Sequence, residues 1–281
     1  MQPLQHLTGS SFIALPVNAT SDGRVPSQLV CVAEETPVAV RYSGFAHAVM
    51  MATPDDLEDF AAGFSLSEGV TQISGPLPDI SIRRGNEGIT VDLTLGGEDL
   101  HRYLAGRRVR QLRGHTSCGL CGVQDLNDVA RPIARVRPAA LLGAHMIRSA
   151  LTALRQWQPL SRQTRGAHAS AWVSLEGHLQ TVREDVGRHN SLDKLIGALL
   201  RNRSASDGFC VITSRCSFEM VQKAVAAGFP TLVSAGAPTA HAIRLAAGAG
   251  LTLYSLSRDG EPLLFTSPAF SEADVCPELA S

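Results

Sequence analysis

The chain has 281 residues, 44% of them hydrophobic and 18% charged, with a formal net charge of −1. That length can bury a sizeable core and favours two domains or one large one. The near-neutral balance argues against non-specific nucleic-acid binding or attachment to a membrane surface, and no apolar run approaches the roughly 18 residues of a bilayer span.

Residues 1–25 are polar and read as an irregular or short edge segment. Leu29 to Val40 and Arg41 to Met51 read as strands. A helix follows, with Thr53 as its cap, Pro54 at its first position, and Asp55 and Asp56 opposing the positive end of its dipole. Leu57, Phe60, Ala61 and Phe64 place one apolar face on that helix, and Gly69 can stop it. Ile80 to Ile82 and Ile89 to Leu95 read as paired strands around the turn Arg83 to Gly88. Pro132 and Pro138, among arginines and small residues, mark a boundary. It divides the chain into an N-terminal α+β domain, 1–135, and an α/β domain, 136–281.

In the second part, Ala139 to Trp157 reads as a helix, Ala169 to Leu175 as a strand and Ser191 to Arg201 as a helix. Phe209 to Thr213, Thr231 to Ser234 and Leu251 to Leu256 are strands. The intervening helices are capped by Ser217 and begun by Pro238. Strands alternating with helices at this spacing predict a parallel α/β sheet, because parallel neighbours need crossovers.

Three segments carry chemistry. Cys118 and Cys121 form a Cys-x-x-Cys in a glycine-rich setting, with Gly119 inside it and Gly122 after it, approached by Arg107, Arg108, Arg110, Arg113 and His115. Positive charge favours the nucleophilic thiolate, so the pair reads as accessible reactive thiols. The alternative is half a zinc site, completed by His115 and a distant cysteine. The other cysteines, Cys31, Cys210, Cys216 and Cys276, are isolated, which suits a reducing compartment and predicts a cytoplasmic protein; the N-terminus shows no secretory signal.

The second segment is Glu184 to Lys194. Gly187 permits a turn, and Arg188, His189 and Asn190 then precede a helix, a placement suited to an anion. Alternatively Asp185 pairs with Arg188 and merely holds the turn. The third comprises the strand ends Thr213 to Cys216 and Ser234 to Thr239, whose hydroxyls and small residues suit phosphate or ordinary capping. No GxGxxG or Walker A motif is present. The His-x-Glu and Pro-Cys-x-x-Cys of zinc deaminases are missing too, since His168 is followed by Ala169-Ser170. A poor helix after the cysteine pair weakens, without removing, a dithiol-disulfide oxidoreductase. Of 25 Lys and Arg residues, only Lys194 and Lys223 are lysines; genome base composition accounts for such a skew.

Taken together, Glu34 to Val38, His47 to Pro54, Phe60 to Gly69, Ser117 to Val123, Glu184 to Lys194, Ser214 to Ala224 and Ala237 to Thr239 resemble the formate dehydrogenase accessory sulfurtransferases, the FdhD family. The resemblance implies a C-terminal cytidine-deaminase-like three-layer α/β domain without zinc machinery, joined to a smaller N-terminal α+β domain. It implies a sulfurtransferase that receives sulfur from a cysteine desulfurase. The sulfur passes to bis-molybdopterin guanine dinucleotide, the molybdenum cofactor of formate dehydrogenase. Cys118 would carry the persulfide, with Cys121 in a protective, relay or structural role. The family's cofactor stretch falls on Leu256, Ser257, Arg258, Asp259, Gly260 and Glu261, where Leu256 replaces an aromatic residue and Glu261 an arginine; Arg165 likewise stands where a glycine is common. Arg188, His189, Ser214 and Arg215 join the expected cofactor site. No zinc, nucleic acid or membrane partner is expected. A homodimer and a non-catalytic cofactor chaperone remain open.

Overall fold

A computed structural model describes residues 11–18, 27–111, 134–203 and 207–269. Its first elements are a hairpin, β1 (Phe12–Asn18) and β2 (Ser27–Ala33), paired antiparallel. Of the N-terminal stretch expected to be an irregular or short edge segment, residues 12–18 form this short strand. The long strand expected from Leu29 to Val40 is broken at Glu34-Glu35, which separates β2 from β3 (Thr36–Tyr42). The turn at Ser43-Gly44, both at positive φ, then leads into β4 (Phe45–Ala52).

Helix α1 (Leu57–Ser67) starts four residues after Thr53, on Asp56 at φ 51°, so neither Thr53 nor Pro54 occupies the expected capping position. Gly69, at φ 71°, does end it. β5 (Asp79–Gly85) and β6 (Gly88–Thr94) form the expected hairpin. α2 (Gly97–Gln111), not anticipated, follows with Glu98 and Asp99 in its first turn. The four-stranded sheet has the order β4-β3-β6-β5. Val38, Val40, Tyr42, Ile89, Val91 and Leu93 alternate onto one face, where they meet Leu57, Phe60 and Phe64 of α1 and Tyr103 of α2.

The remainder comprises α3 (Ala144–Gln156), α4 (Pro159–Thr164), β7 (His168–Ser174), β8 (Leu179–Asp185), α5 (Arg188–Asn202), β9 (Gly208–Cys216), α6 (Phe218–Ala226), β10 (Thr231–Pro238), α7 (Ala240–Ala249), β11 (Thr252–Leu256) and β12 (Pro262–Thr266). Pro238 ends β10 instead of opening α7, which Thr239 caps by accepting from the Ala242 N–H. The six-stranded sheet has the order β12-β11-β10-β9-β7-β8. Strands β9, β10 and β11 are parallel as expected, but β7 and β12 run against them, so the sheet is mixed. Each face carries its own core. Leu192, Leu195, Ile196, Met220, Val221 and Ala246 from α5, α6 and α7 cover one, while Ile147, Ala150, Leu151 and Leu154 of α3 cover the other.

The two sheets are joined where α1 crosses α5. Gly63 and Gly197 let the backbones touch: a Cβ on Gly63 would overlap the Asp193 carbonyl, and one on Gly197 the Asp59 carbonyl. Buried charges flank the crossing. Asp59, 4% exposed, accepts from Arg183 and Arg201. Asp193 accepts from Lys223 Nζ at 2.8 Å and from Ser67 Oγ at 2.7 Å. Asp185 and Lys194, both 0% exposed, pair at 2.7 Å. The lysines of this arginine-rich chain, Lys194 and Lys223, thus both serve buried ion pairs. A compact ammonium can direct three donors at convergent oxygens where a planar guanidinium cannot.

Candidate functional site

Because β7 is antiparallel to both β8 and β9, strands β8, β9, β10 and β11 all point the same way. Their carboxyl ends form one edge of the sheet, which is where open α/β sheets hold ligands. This edge gathers the expected residues. β8 ends at Asp185 and leads into Arg188 and His189; β9 ends in Ser214, Arg215 and Cys216; β10 ends through Gly236; and β11 leads into the Ser257–Glu261 turn. From β11 to β8 the edge spans four strand spacings, about 19 Å.

Arg188 and His189 begin α5 instead of preceding it, so they lie beside its unpaired N–H groups. Both are half-buried, whereas Arg215 and Arg258 are exposed. Among the described residues, the guanidiniums of Arg188, Arg215 and Arg258 have no hydrogen-bond or ion-pair partner. His168 opens β7 in register with Asp185, and burial first, then the neighbouring Arg188 and His189, hold its imidazole below the ordinary value.

Sequence reasoning missed Glu219. In the first turn of α6, its Oε2 lies 2.9 Å from His189 Nε2 and accepts from Ser217 Oγ at 3.2 Å. The His189 hydrogen bond is the leading cause holding the Glu219 carboxyl below its usual range. An acid in a first helical turn reads from sequence as dipole compensation. Its partner, 30 residues away, has no local signature.

Several expected ligand groups are already engaged. Ser214, 4% exposed, donates to the Arg215 carbonyl at 3.0 Å. Ser234 and Ser255 both donate to the Gly236 carbonyl, at 2.8 and 3.0 Å, and so fix the end of β10. In the β11–β12 turn, Leu256 packs into the α3-side core, Ser257 Oγ accepts from the Glu261 N–H, and Gly260 sits at φ 82°. Asp259 is exposed, and Glu261 pairs with Arg148 of α3 at 2.6 Å. The turn therefore presents Arg258 outward while Glu261 is tied to a helix. The Glu184–Lys194 segment divides likewise: Arg188 and His189 face the edge, whereas Asp185, Asn190 and Lys194 are buried in the joint. Asp185 pairs with Lys194, and not with Arg188 as the structural alternative had it.

Cys118 and Cys121, with Arg113 and His115, lie outside the described residues. Of the cysteines described, Cys31 is half-buried, Cys210 is buried with its thiol pushed up by desolvation, and Cys216 is pushed up to about 12 by burial. Neither buried thiol is set up to ionise near neutral pH. No helix among the described residues is long and apolar enough to cross a membrane.

A model of the FdhD/NarQ family matches residues 33–270, a span that contains both the cysteine pair and the whole carboxyl edge. The chain belongs to this family. Among its relatives is the sulfur carrier protein FdhD of Cupriavidus necator, 47% identical over 238 residues, covering 84% of this chain and 82% of the relative. The sulfur carrier protein FdhD of Xanthomonas euvesicatoria is 44% identical over 247 residues, covering 88% of this chain and 87% of the relative. A crystal structure from Desulfotalea psychrophila, described as that of a formate dehydrogenase accessory protein, matches the fold with a TM-score of 0.67 at 25% identity. That match covers 92% of this chain and 99% of the other.

Proposed function

We propose that this FdhD-family protein is a cytoplasmic sulfur carrier for formate dehydrogenase. It takes sulfur from a cysteine desulfurase as a persulfide on Cys118. It passes that sulfur to bis-molybdopterin guanine dinucleotide, bound as substrate at the carboxyl edge, before this cofactor enters the dehydrogenase. The observation that carries the reading is the family match through residues 33–270, supported by relatives named as sulfur carriers.

The chemistry of the residues fits. An edge of about 19 Å lined by Arg188, His189, Arg215 and Arg258 suits an extended ligand with a diphosphate, which guanidiniums bind through paired charge-assisted hydrogen bonds. In the transfer step, an acceptor lone pair bonds to the outer sulfur, the S–S bond breaks, and Cys118 leaves as its thiolate. The arginines and His115 that approach Cys118 in sequence favour that leaving group. On this reading the chain divides near residue 135. The six-stranded part is a cytidine-deaminase-like scaffold used to hold a cofactor, without a deaminase's metal chemistry.

The competing reading is a chaperone that binds the cofactor without carrying sulfur, favoured by the unpaired cations at the edge. Cys118→Ala separates the two. The sulfur-carrier reading expects the variant to bind GDP, a mimic of half the cofactor, as wild type does, yet to fail in activating formate dehydrogenase. Full activation by Cys118→Ala would leave the chaperone reading standing.

A further inference from the structure

The turn that presents Arg188 and His189 is not held by its own sheet alone. Asp185 is completely buried, and its carboxylate collects the Gly187 N–H at 2.8 Å, Asn190 Nδ2 at 3.0 Å, Lys194 Nζ at 2.7 Å and the Thr53 N–H at 3.0 Å. The last of these comes from the far unit, from the segment joining β4 to α1. Thr53 returns two further bonds. Its Oγ1 accepts the Val186 N–H at 3.1 Å, and its carbonyl accepts Lys194 Nζ at 3.0 Å. Immediately before it, the Met51 carbonyl accepts Asn190 Nδ2 at 2.8 Å. Residues 185–190 are thus bonded from one side by the four-stranded unit, and Arg188 and His189 emerge from the other.

We infer that Thr53 is a positioning residue for the anion site. Through Asp185 and Val186 it fixes the turn that aims Arg188 and His189, so the unit that bears Cys118 in sequence also sets the geometry of the edge. This rests on the reading of that edge as the cofactor site. Thr53 is 1% exposed and never meets the edge itself, so its influence is exerted through the backbone of the turn. Its departure from the expected helix cap has a structural cause: its hydroxyl is engaged across the joint, and Asp56 takes the position before α1.

Three variants test this. Thr53→Val keeps the shape but removes the acceptor for Val186, whereas Thr53→Ser keeps the acceptor. Ser67→Ala breaks a different bond across the same joint, to Asp193, at a point remote from the turn. Hydrogen exchange in the ligand-free protein should quicken about tenfold across residues 184–191 in Thr53→Val, the loss expected when one amide is left without its acceptor. Exchange there should stay at wild-type rates in Thr53→Ser and Ser67→Ala. GDP affinity should fall about tenfold in Thr53→Val alone, since misplaced cations lose their paired geometry. Unchanged exchange at 184–191 in Thr53→Val would overturn the inference, whatever GDP does. If wild type fails to bind GDP, the cofactor-site reading fails separately. An equal loss of GDP affinity in Ser67→Ala would reduce Thr53 to general support of the joint.

Discussion

The joint between the two units and the carboxyl edge of the six-stranded sheet are built from the same kinds of side chain, yet they are opposite in closure. At the joint every charge is answered: Asp185 by four donors, Asp193 by Lys223 and Ser67, Asp59 by two arginines. At the edge, Arg188, Arg215 and Arg258 have no such partners among the described residues, and Arg188 adds to burial in depressing the affinity of His168 for a proton. Buried polar groups must be satisfied or they destabilise the fold; half-exposed cations can wait for a ligand. Saturation, and not polarity, separates scaffold from site.

Breaking the joint should cost the most. Lys194→Met leaves Asp185 as a buried charge without its countercharge and should lower stability by about 3–5 kcal/mol, measured by urea unfolding. A loss under about 1 kcal/mol would show that the pair is not sealed from water. Next comes the helix crossing. Gly197→Ala drives a methyl into the Asp59 carbonyl and should cost about 3 kcal/mol, because backbone on both sides must give way. At the edge the pattern reverses: Arg215→Ala should leave stability within about 0.5 kcal/mol while weakening GDP binding about tenfold or more. Calorimetry alongside thermal melting checks both halves, and a variant that melts early with intact GDP affinity would place Arg215 in the scaffold.

The smallest effects are those of pH. Glu219 titrates lower in the folded chain than in the unfolded one, so its stabilising effect is complete above the unfolded carboxylate value and is lost as pH falls through the folded value. His168 is also lowered; the folded chain resists its protonation, so stability falls as pH drops from the unfolded value, near 6.5, toward the folded one. Screening keeps each effect below about 1 kcal/mol. His168→Gln should flatten the stability profile in the upper window and Glu219→Gln in the lower. Profiles parallel to wild type would contradict these assignments.

What could be read from the sequence follows the same division. Strand–helix alternation after residue 208 located the carboxyl edge, because turns and caps leave local signatures, and Arg215 was found by its place in that pattern. The partners of Asp185 were not legible. Arg188, its apparent local partner, lies three residues on, whereas Thr53 is 132 residues away and Lys194 lies further along the helix that Arg188 begins. The scarcity of lysine looked compositional, and only burial shows what the remaining lysines do. α2 is hard to read because Leu100, Tyr103 and Leu104 make only a short apolar stripe on a helix otherwise dominated by charged residues.

The central claim, that sulfur travels on Cys118, is tested most directly by peptide mass spectrometry after incubation with a cysteine desulfurase and cysteine. The account predicts one reducible sulfur atom per chain on Cys118, abolished in Cys118→Ala and indifferent to loss of Cys31, Cys210 or Cys276. Sulfur on Cys216, whose thiol burial holds at about 12, or on no cysteine at all, would contradict it.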